Sequence, residues 1–484
     1  MCCNRLSSLC VAMVLTLSAC AVSRPDTPQP GVQSPDLFSL AIAVPEQYEA
    51  YRLADVATSG AGNIRSLREW LALLGAPALD ALIERALTQS HDITAARSNM
   101  RKARAMLSAA NQTLLPSLAL QLQRTDTRQR GQDRATSYQG SVVVGWEIDI
   151  WGSRINERNA QAINALSARR QLEHAKQAVI ATLTRVWLAA VSARQRLELT
   201  SQSLESLEKK KHIVELRYRQ GQSAIDAVEI LDRDLNRLRT NLNKLKEQMH
   251  AQIRAMQVLA GDYPSGRMAL PPGLPELRAS IKNTLPAELL QNRPDVHAAW
   301  LALHAAEATV AARLKQRWLP TFSLSLTGVE TASLLRDVLT APSLWTLGLK
   351  LLQNILSPEE SLQLDLAREE VVLAAAHYSN VLLRAYDEAE SSLLARRLTR
   401  SNLDQSRASA RSAERLYRFA QQRFDVGIAG AEKLLDQQRL LLNEQIQAIN
   451  AQEAALLSQL NLLQALGVPQ TKPQTSEEPV SDGS

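Results

Sequence analysis

The sequence predicts a mainly α chain with a small β part, built as two tandem repeats, and three observations predict it. Short phrases recur at a fixed distance, two very long spans lack both Gly and Pro, and alternating apolar and polar residues follow a proline in each half. Leu115-Pro116-Ser117-Leu118-Ala119-Leu120 returns 204 positions later as Leu319-Pro320-Thr321-Phe322-Ser323-Leu324. Arg217-Tyr218 followed by Gly221 returns 206 positions later as Arg423-Phe424 followed by Gly427. Leu259-Ala260-Gly261 has its counterpart in Ala465-Leu466-Gly467. Self-similarity at a fixed period marks a repeated structural unit. The units are placed at residues 78–261 and 287–467, joined by a Pro-rich connector at 262–286 and followed by a flexible tail at 468–484.

The chain begins with a positive residue, Arg5, a short apolar run from Leu9 to Leu17, and then Leu17-Ser18-Ala19-Cys20. The run is too short to span a bilayer as a helix, so residues 1–19 read as a secretory signal. A Cys directly after the small residues resembles the lipobox of bacterial lipoproteins, in which Cys20 becomes the acylated first residue of the mature chain. The other reading is an ordinary signal peptide with an incidental Cys. All four cysteines lie in the first twenty residues, so a lipidated Cys20 leaves no free thiol in an oxidising compartment. Ala21, rather than Asp, follows it and favours the outer membrane, leaving residues 20–77 as a lipid-anchored segment.

Each repeat opens with a helical stretch, Ala78 to Leu115 and Ala287 to Leu319, which Pro116 or Pro320 ends. Leu118, Leu120 and Leu122 then alternate with Ser117, Ala119, Gln121 and Gln123; Phe322, Leu324 and Leu326 alternate with Thr321, Ser323, Ser325 and Thr327. Further alternating runs stand at Val142, Val144 and Trp146, and at Trp345, Leu347 and Leu349. Such strands suit a membrane barrel, with lipid outside and water inside, or a half-buried soluble sheet. No later stretch is apolar for eighteen residues, so any membrane-spanning part must be a β-barrel. Two strands per repeat give four per chain, fewer than the roughly eight that the smallest barrels need, so several copies must pool them.

The spans Ser153–Gln220 and Glu359–Val426 each run 68 residues without Gly or Pro, which as helix is ~100 Å. Leu231, Leu235, Leu238, Leu242, Leu245, Met249, Met256 and Leu259 step by four and three, missing one beat at Gln252. Leu435, Leu442, Ile449, Leu456 and Leu463 stand seven apart, with Ile446 and Leu460 between. Both patterns predict a coiled-coil seam.

Composition excludes several functions. The net charge of +6 is mild for 484 residues, aromatics are 4%, and no basic block is interleaved with aromatics, so no nucleic-acid partner is expected. No phosphate-binding glycine loop and no His-Glu-x-x-His pattern occurs. His297 and His304, seven apart, are too few for zinc. No catalytic residue, cofactor or metal is expected.

These residues together resemble the TolC-like outer-membrane factor family, in its lipoprotein branch. The resemblance runs from Trp70 to Gly467. It is carried by Leu79-Asp80-Ala81-Leu82-Ile83, Trp146-Glu147-Ile148-Asp149-Ile150-Trp151-Gly152, Arg293-Pro294-Asp295-Val296, Leu319-Pro320, and Arg-Tyr/Phe-x-x-Gly in both halves. It implies a homotrimer with a twelve-stranded β-barrel in the outer membrane, four strands from each chain, and a long α-helical barrel in the periplasm. The partners it implies are a periplasmic membrane-fusion adaptor and an inner-membrane pump of the resistance–nodulation–division type; the function is a passive exit duct for small toxic compounds or drugs. A duct for type I protein secretion or metal efflux is the alternative, and a coiled-coil envelope scaffold is the alternative of another class. Two places depart from the family: Leu352-Gln353-Asn354-Ile355-Leu356-Ser357-Pro358 lacks the usual paired glycines, and Ser90-His91-Asp92 replaces Asn-Pro-Asp.

Two site groups follow from the resemblance. Gly221 and Ser223, with Gly427, Ile428 and Ala429, stand at the helix reversals where such proteins dock the adaptor. Asp436 matches an acidic gate residue, Lys433 stands where a second Asp is usual, and Ala429 where some members carry Arg. The three-residue spacing of Lys433 and Asp436 permits an ion pair. That pair, or Lys433 with Asp226, is expected to lock the closed state.

Overall fold

The computed structural model describes residues 71, 76–128, 135–276, 293–338, 342, 344–355 and 357–467. The signal, Cys20 and the segment up to residue 70, the latter part of the connector and the tail therefore lie outside the described residues.

The first repeat comprises α1 (Pro77–Gln89), α2 (His91–Gln112), β1 (Ser117–Thr127), β2 (Ala135–Ile148), α3 (Ser153–Arg219) and α4 (Ile225–Leu259). The second comprises α5 (Pro294–Trp318), β3 (Thr321–Ala332), a single turn α6 (Leu335–Val338), β4 (Leu344–Leu352), α7 (Pro358–Asp425) and α8 (Ala431–Ala465). The Gly/Pro-free spans are the 67-residue α3 and the 68-residue α7, each ~100 Å long. Pro358 sits in the first turn of α7, where its missing N–H is no loss.

The expected single helix from Ala78 to Leu115 is two. Ser90, at φ −58° and ψ 132°, leaves the helical region between α1 and α2, although no Gly or Pro marks the place. Its carbonyl still serves the next helix, accepting from the Thr94 N–H and from Thr94 Oγ1 at 2.9 Å. The break lets α1 turn its buried Leu79, Leu82, Ile83 and Ala86 into the core while α2 continues toward the strands.

That core gathers where α1, α3, α4 and α8 meet. Ile180, Leu183, Trp187 and Leu188 of α3 pack with Ile253 and Met256 of α4 and with Leu456, Leu460 and Leu463 of α8. Below it α3 and α4 share the seam of Leu207, Val214, Val228, Leu231 and Leu235. The beat missing at Gln252 is supplied one residue on by Ile253, only 2% exposed. The connector straps the two repeats together: Gln195 of α3 accepts from the Leu274 N–H, and Gln452 of α8 donates to the Pro275 carbonyl at 2.8 Å.

The same joint closes each repeat. Gly261, at φ 79°, follows α4 and lies against Gln89 at the end of α1, while Gly467, at φ 64°, follows α8 and lies against Arg293 at the start of α5. A methyl on Gly467 would meet Arg293 Cγ at 2.6 Å. Arg293 is buried, paired with Asp295 at 2.8 Å and Glu388 at 2.8 Å, and donates to the Ala465 carbonyl. Burial pulls the guanidinium down, but the Asp295 hydrogen bond and charge, with Glu388, hold it above its ordinary value. For Asp295 burial pushes up, and Arg293 outweighs it, so the carboxyl ends below its usual range.

Arg293→Met is therefore expected to destabilise the fold by about 2–3 kcal/mol, somewhat below a fully buried pair because Asp295 keeps some solvent. Asp295 titrates lower folded than unfolded, so its contribution is complete above about pH 4 and is lost as pH falls further. Thermal unfolding by circular dichroism, at pH 7 and at pH 3, checks both: the gap between wild type and Arg293→Met should narrow in acid.

Candidate functional site

The four strands form one antiparallel sheet in the order β1-β2-β3-β4, with regular register throughout. The register aligns side chains in rows across the sheet. On one face stand Leu118, Val144, Leu326 and Leu347, then Trp146, Leu324 and Leu349, then Ile148, Phe322 and Leu351. On the other stand Ser117, Gly145, Ser325 and Gly348, and Ala119, Val143, Thr327 and Thr346. Leu118, Leu120, Leu347 and Leu349 are 71–83% exposed on the single chain, a display of apolar surface that water disfavours. The outer edges of β1 and β4 are unpaired among the described residues.

The junction between strand and long helix explains the motif Trp146–Gly152. Trp146 Nε1 donates to the Leu114 carbonyl at 3.0 Å within the first repeat, and Trp151 Nε1 donates to the Pro320 carbonyl at 2.8 Å, tying the first repeat to the second. Asp149 accepts the Ser153 and Ile155 N–H groups, each at 2.8 Å, and so caps the positive end of α3. Gly152 takes φ 71° to make the corner, and Arg154 pairs with Glu147. At the corresponding place before α7 the glycines are missing, and side chains replace them. Ser357 Oγ accepts the Glu360 N–H, Asn354 Nδ2 donates to Glu360 at 2.8 Å, and Gln353 donates to the Trp318 carbonyl.

At the far end each long helix reverses through a glycine. Gly221 and Gly427 both have φ 74°. Gln222 N–H donates to the Arg217 carbonyl and Ile428 N–H to the Arg423 carbonyl, both at 2.8 Å, the six-to-one bond of a Schellman ending. Nothing lies within 4 Å of a side chain added at either glycine. Val426 and Ile428 are about two-thirds exposed; Ser223 and Ala429 are half-buried. One tip is thus polar, Gln220-Gly221-Gln222-Ser223, and the other apolar, Val426-Gly427-Ile428-Ala429.

Above the tips, adjacent lysines on α3 reach in different directions. Lys210 pairs with Asp436 of α8 at 2.6 Å, and Lys211 pairs with Asp232 of α4 at 2.6 Å and with Glu215 at 3.2 Å. The hydrogen bonds that Lys211 donates to Asp232 and Glu215 hold its ammonium above its ordinary range. Nearer the tip Arg217 pairs with Glu432 of α8; farther up, Ser206 Oγ donates to Gln438 at 3.1 Å.

The pairing expected between Lys433 and Asp436, or Lys433 and Asp226, does not form. Asp436 faces α3 and is taken by Lys210, whereas Lys433 lies ~60° round the helix and is exposed. Asp226 is exposed in the first turn of α4, where a carboxylate favours the helix dipole. Sequence reading missed Lys210, although one signal was present: Lys210 and Asp436 each stand about ten residues from their own tip glycine. His297 and His304 flank Trp300, with ring centroids 5.8 and 4.3 Å away, and His304 bonds Glu307.

Among the described residues no helix is long and apolar enough to cross a membrane. Comparison with known proteins agrees with this geometry. The chain matches the Outer membrane efflux protein family over residues 82–262 and 285–468. It is 26% identical over 479 residues to the pyoverdine export outer membrane protein OpmQ of Pseudomonas aeruginosa, covering 94% of this chain and 95% of that one. It is 26% identical to the solvent efflux pump outer membrane protein SrpC of Pseudomonas putida, covering 81% and 85%. The fold resembles the Campylobacter jejuni CmeC outer membrane channel, with a TM-score of 0.74 at 20% identity over 88% of this chain and 93% of that one. It also resembles VceC of Vibrio cholerae, with a TM-score of 0.70 at 20% identity over 82% and 97%. The chain belongs to the outer membrane efflux protein family, and its sheet and hairpins are those of an outer-membrane efflux channel.

Proposed function

We propose that three copies of the chain close one barrel and serve as the passive exit duct of a tripartite efflux system, receiving small toxic compounds from an inner-membrane pump through a periplasmic adaptor. The observation that carries this is the sheet, with a broad apolar band on one face, small polar residues on the other and two edges unpaired among the described residues. In hydrocarbon every backbone N–H and C=O must be bonded, so β1 of one copy has to meet β4 of the next. A non-channel scaffold has no use for such a sheet. Names given to relatives, for pyoverdine export and solvent efflux, favour small molecules over a secreted protein as cargo. Energy comes from the pump, of the resistance–nodulation–division type in this reading, and the chain carries no catalytic step.

Within this reading Gly221, Ser223, Gly427, Ile428 and Ala429 dock the adaptor, and the ion pairs above the tips hold the resting state. Lys210–Asp436 and Arg217–Glu432 tie α3 of one hairpin to α8 of the other, so spreading the hairpins must break them. Partly exposed pairs are worth at most ~1 kcal/mol each. Planar-bilayer recording of the purified protein, with its oligomeric mass taken on the same sample, tests the duct itself. Lys210→Ala should then raise resting conductance a few-fold, while Lys433→Ala leaves it unchanged; a Lys210→Ala channel at the wild-type level would remove the latch.

Gly427→Trp adds bulk in open space, so packing is spared and only the left-handed backbone is strained, by ~1–2 kcal/mol. Adaptor-dependent resistance should fall while trimer levels hold; undiminished resistance would move docking elsewhere. Cys20 is proposed as the acylated residue that anchors the mature chain. Metabolic labelling with radioactive palmitate should mark the wild type and leave Cys20→Ser unlabelled.

A further inference from the structure

We propose that Lys350 forms, in the assembled trimer, a ring of three ammonium groups at the inner end of the barrel lumen, and that this ring makes the duct favour anionic over cationic cargo. The inference rests on the reading of the polar face of the sheet as the wall of that lumen, and it adds the class of compound the wall favours.

Register gives the charge inventory of the wall. The polar face runs along alternate residues of all four strands, through the row of Ser117, Gly145, Ser325 and Gly348. On β1 it presents only Ser, Ala, Gln and Thr, and on β3 only Ser, Thr and Val. Among the described strand residues on this face, Glu147 of β2 and Lys350 of β4 alone carry charge. They share a row, since each is the cross-strand partner of Ser323 from its own side.

The two charges have different fates. Arg154 Nε donates to Glu147 Oε1 at 3.0 Å, and its Nη2 donates to Oε2. A third bond, from Arg154 Nη1 to the Thr113 carbonyl at 3.1 Å, fixes the guanidinium in place. A carboxylate held on both oxygens by one guanidinium is neutralised where it stands. Lys350 lies two strands away, roughly 10 Å off. It is exposed and has no hydrogen bond or ion pair among the described residues. Its neighbours on the face, Ser323 across and Gly348 along the strand, are small and leave the ammonium group room. Closure against β1 of the next copy brings no carboxylate, because β1 shows none on this side.

Magnitudes decide whether such a ring is felt. Twelve strands at ~4.8 Å spacing and ~40° tilt enclose a bore roughly 24 Å across between backbones. A lysine extended inward brings its charge to within roughly 6 Å of the axis, less than the ~8 Å Debye length of physiological salt. Screening therefore leaves the field of three ammonium groups across the whole bore. Lys350 is two residues from the end of β4, so a solute passing from the helices to the outside crosses the ring on entering the barrel. Rings of one charge sign set ionic preference in pores. Small carboxylates, sulfonates and phosphates are drawn to this one, and cations are repelled.

A cysteine reporter beside the ring, Ser323→Cys in the purified trimer, tests this; the unsubstituted protein supplies the background. The reporter is reacted with an anionic sulfonatoethyl and a cationic trimethylammonioethyl methanethiosulfonate, and the ratio of the two rates is measured. Lys350→Gln should lower the anionic-to-cationic ratio severalfold, and Lys350→Arg should keep it. A Thr327→Cys reporter, roughly 13 Å along the strand and beyond the Debye length, should respond much less. In planar bilayers under a KCl gradient, Lys350→Gln should move the reversal potential in the cation-selective direction. A ratio at Ser323→Cys that Lys350→Gln leaves unchanged overturns the ring. A changed ratio with an unmoved reversal potential overturns its part in choosing cargo. A Ser323→Cys reporter that reacts with neither reagent in an intact trimer overturns the polar face as the lumen wall, and the duct reading with it.

Discussion

The rest of the structure depends on the hydrogen-bonding debt of two strand edges. A four-stranded sheet with one apolar face cannot remain open in hydrocarbon, where an unpaired backbone group costs several kcal/mol. Only other copies can complete it, and that requirement fixes much else. The strands must lie in regular register from end to end, the strand–helix corner must be rigid enough to aim long helices, and both repeats must meet the membrane at one height. The bond from Trp151 to the Pro320 carbonyl serves the last need, since it joins the strand–helix corner of one repeat to the start of the strands in the other.

Glycines with positive φ are the second recurring device, used for two different purposes. At Gly221 and Gly427 the space around the residue is empty and only the turn of the backbone matters. At Gly261 and Gly467 another segment presses against the residue, so the missing side chain matters as much as the torsion. In this way the end of α4 is held against the end of α1, and the end of α8 against the start of α5. The bond from Arg293 to the Ala465 carbonyl, with its pair to Glu388 of α7, then converts the second of these joints from a contact into a lock.

Much of this was legible in the sequence because it is local. The long helices announce themselves by lacking Gly and Pro, and the strands by period-two alternation after a proline. The tips follow from glycine standing between two helical spans. What escaped is what depends on distant partners. Ser90 breaks a helix without any breaker residue, because burying Leu79 and Ile83 in the core outweighs helical continuity. Ile253 fills a beat that a strict count assigns to Gln252, a choice made by packing against Met256 and its neighbours. Lys433 and Asp436 looked like a pair because they are close in sequence, whereas the partner of Asp436 is 226 residues away.

The near-equal lengths of α3 and α7 have an evolutionary corollary. With 67 and 68 residues they bring their reversals to matching distances from the strands, and α4 and α8, 35 residues each, return to matching joints. An insertion of one heptad in a single helix would shift its tip by ~10 Å and misalign every cross-hairpin pair above it. Indels in this architecture are thus tolerated only as sets, in both arms of a hairpin and in both repeats. Lineages should accordingly differ in reach by whole heptads rather than drift residue by residue.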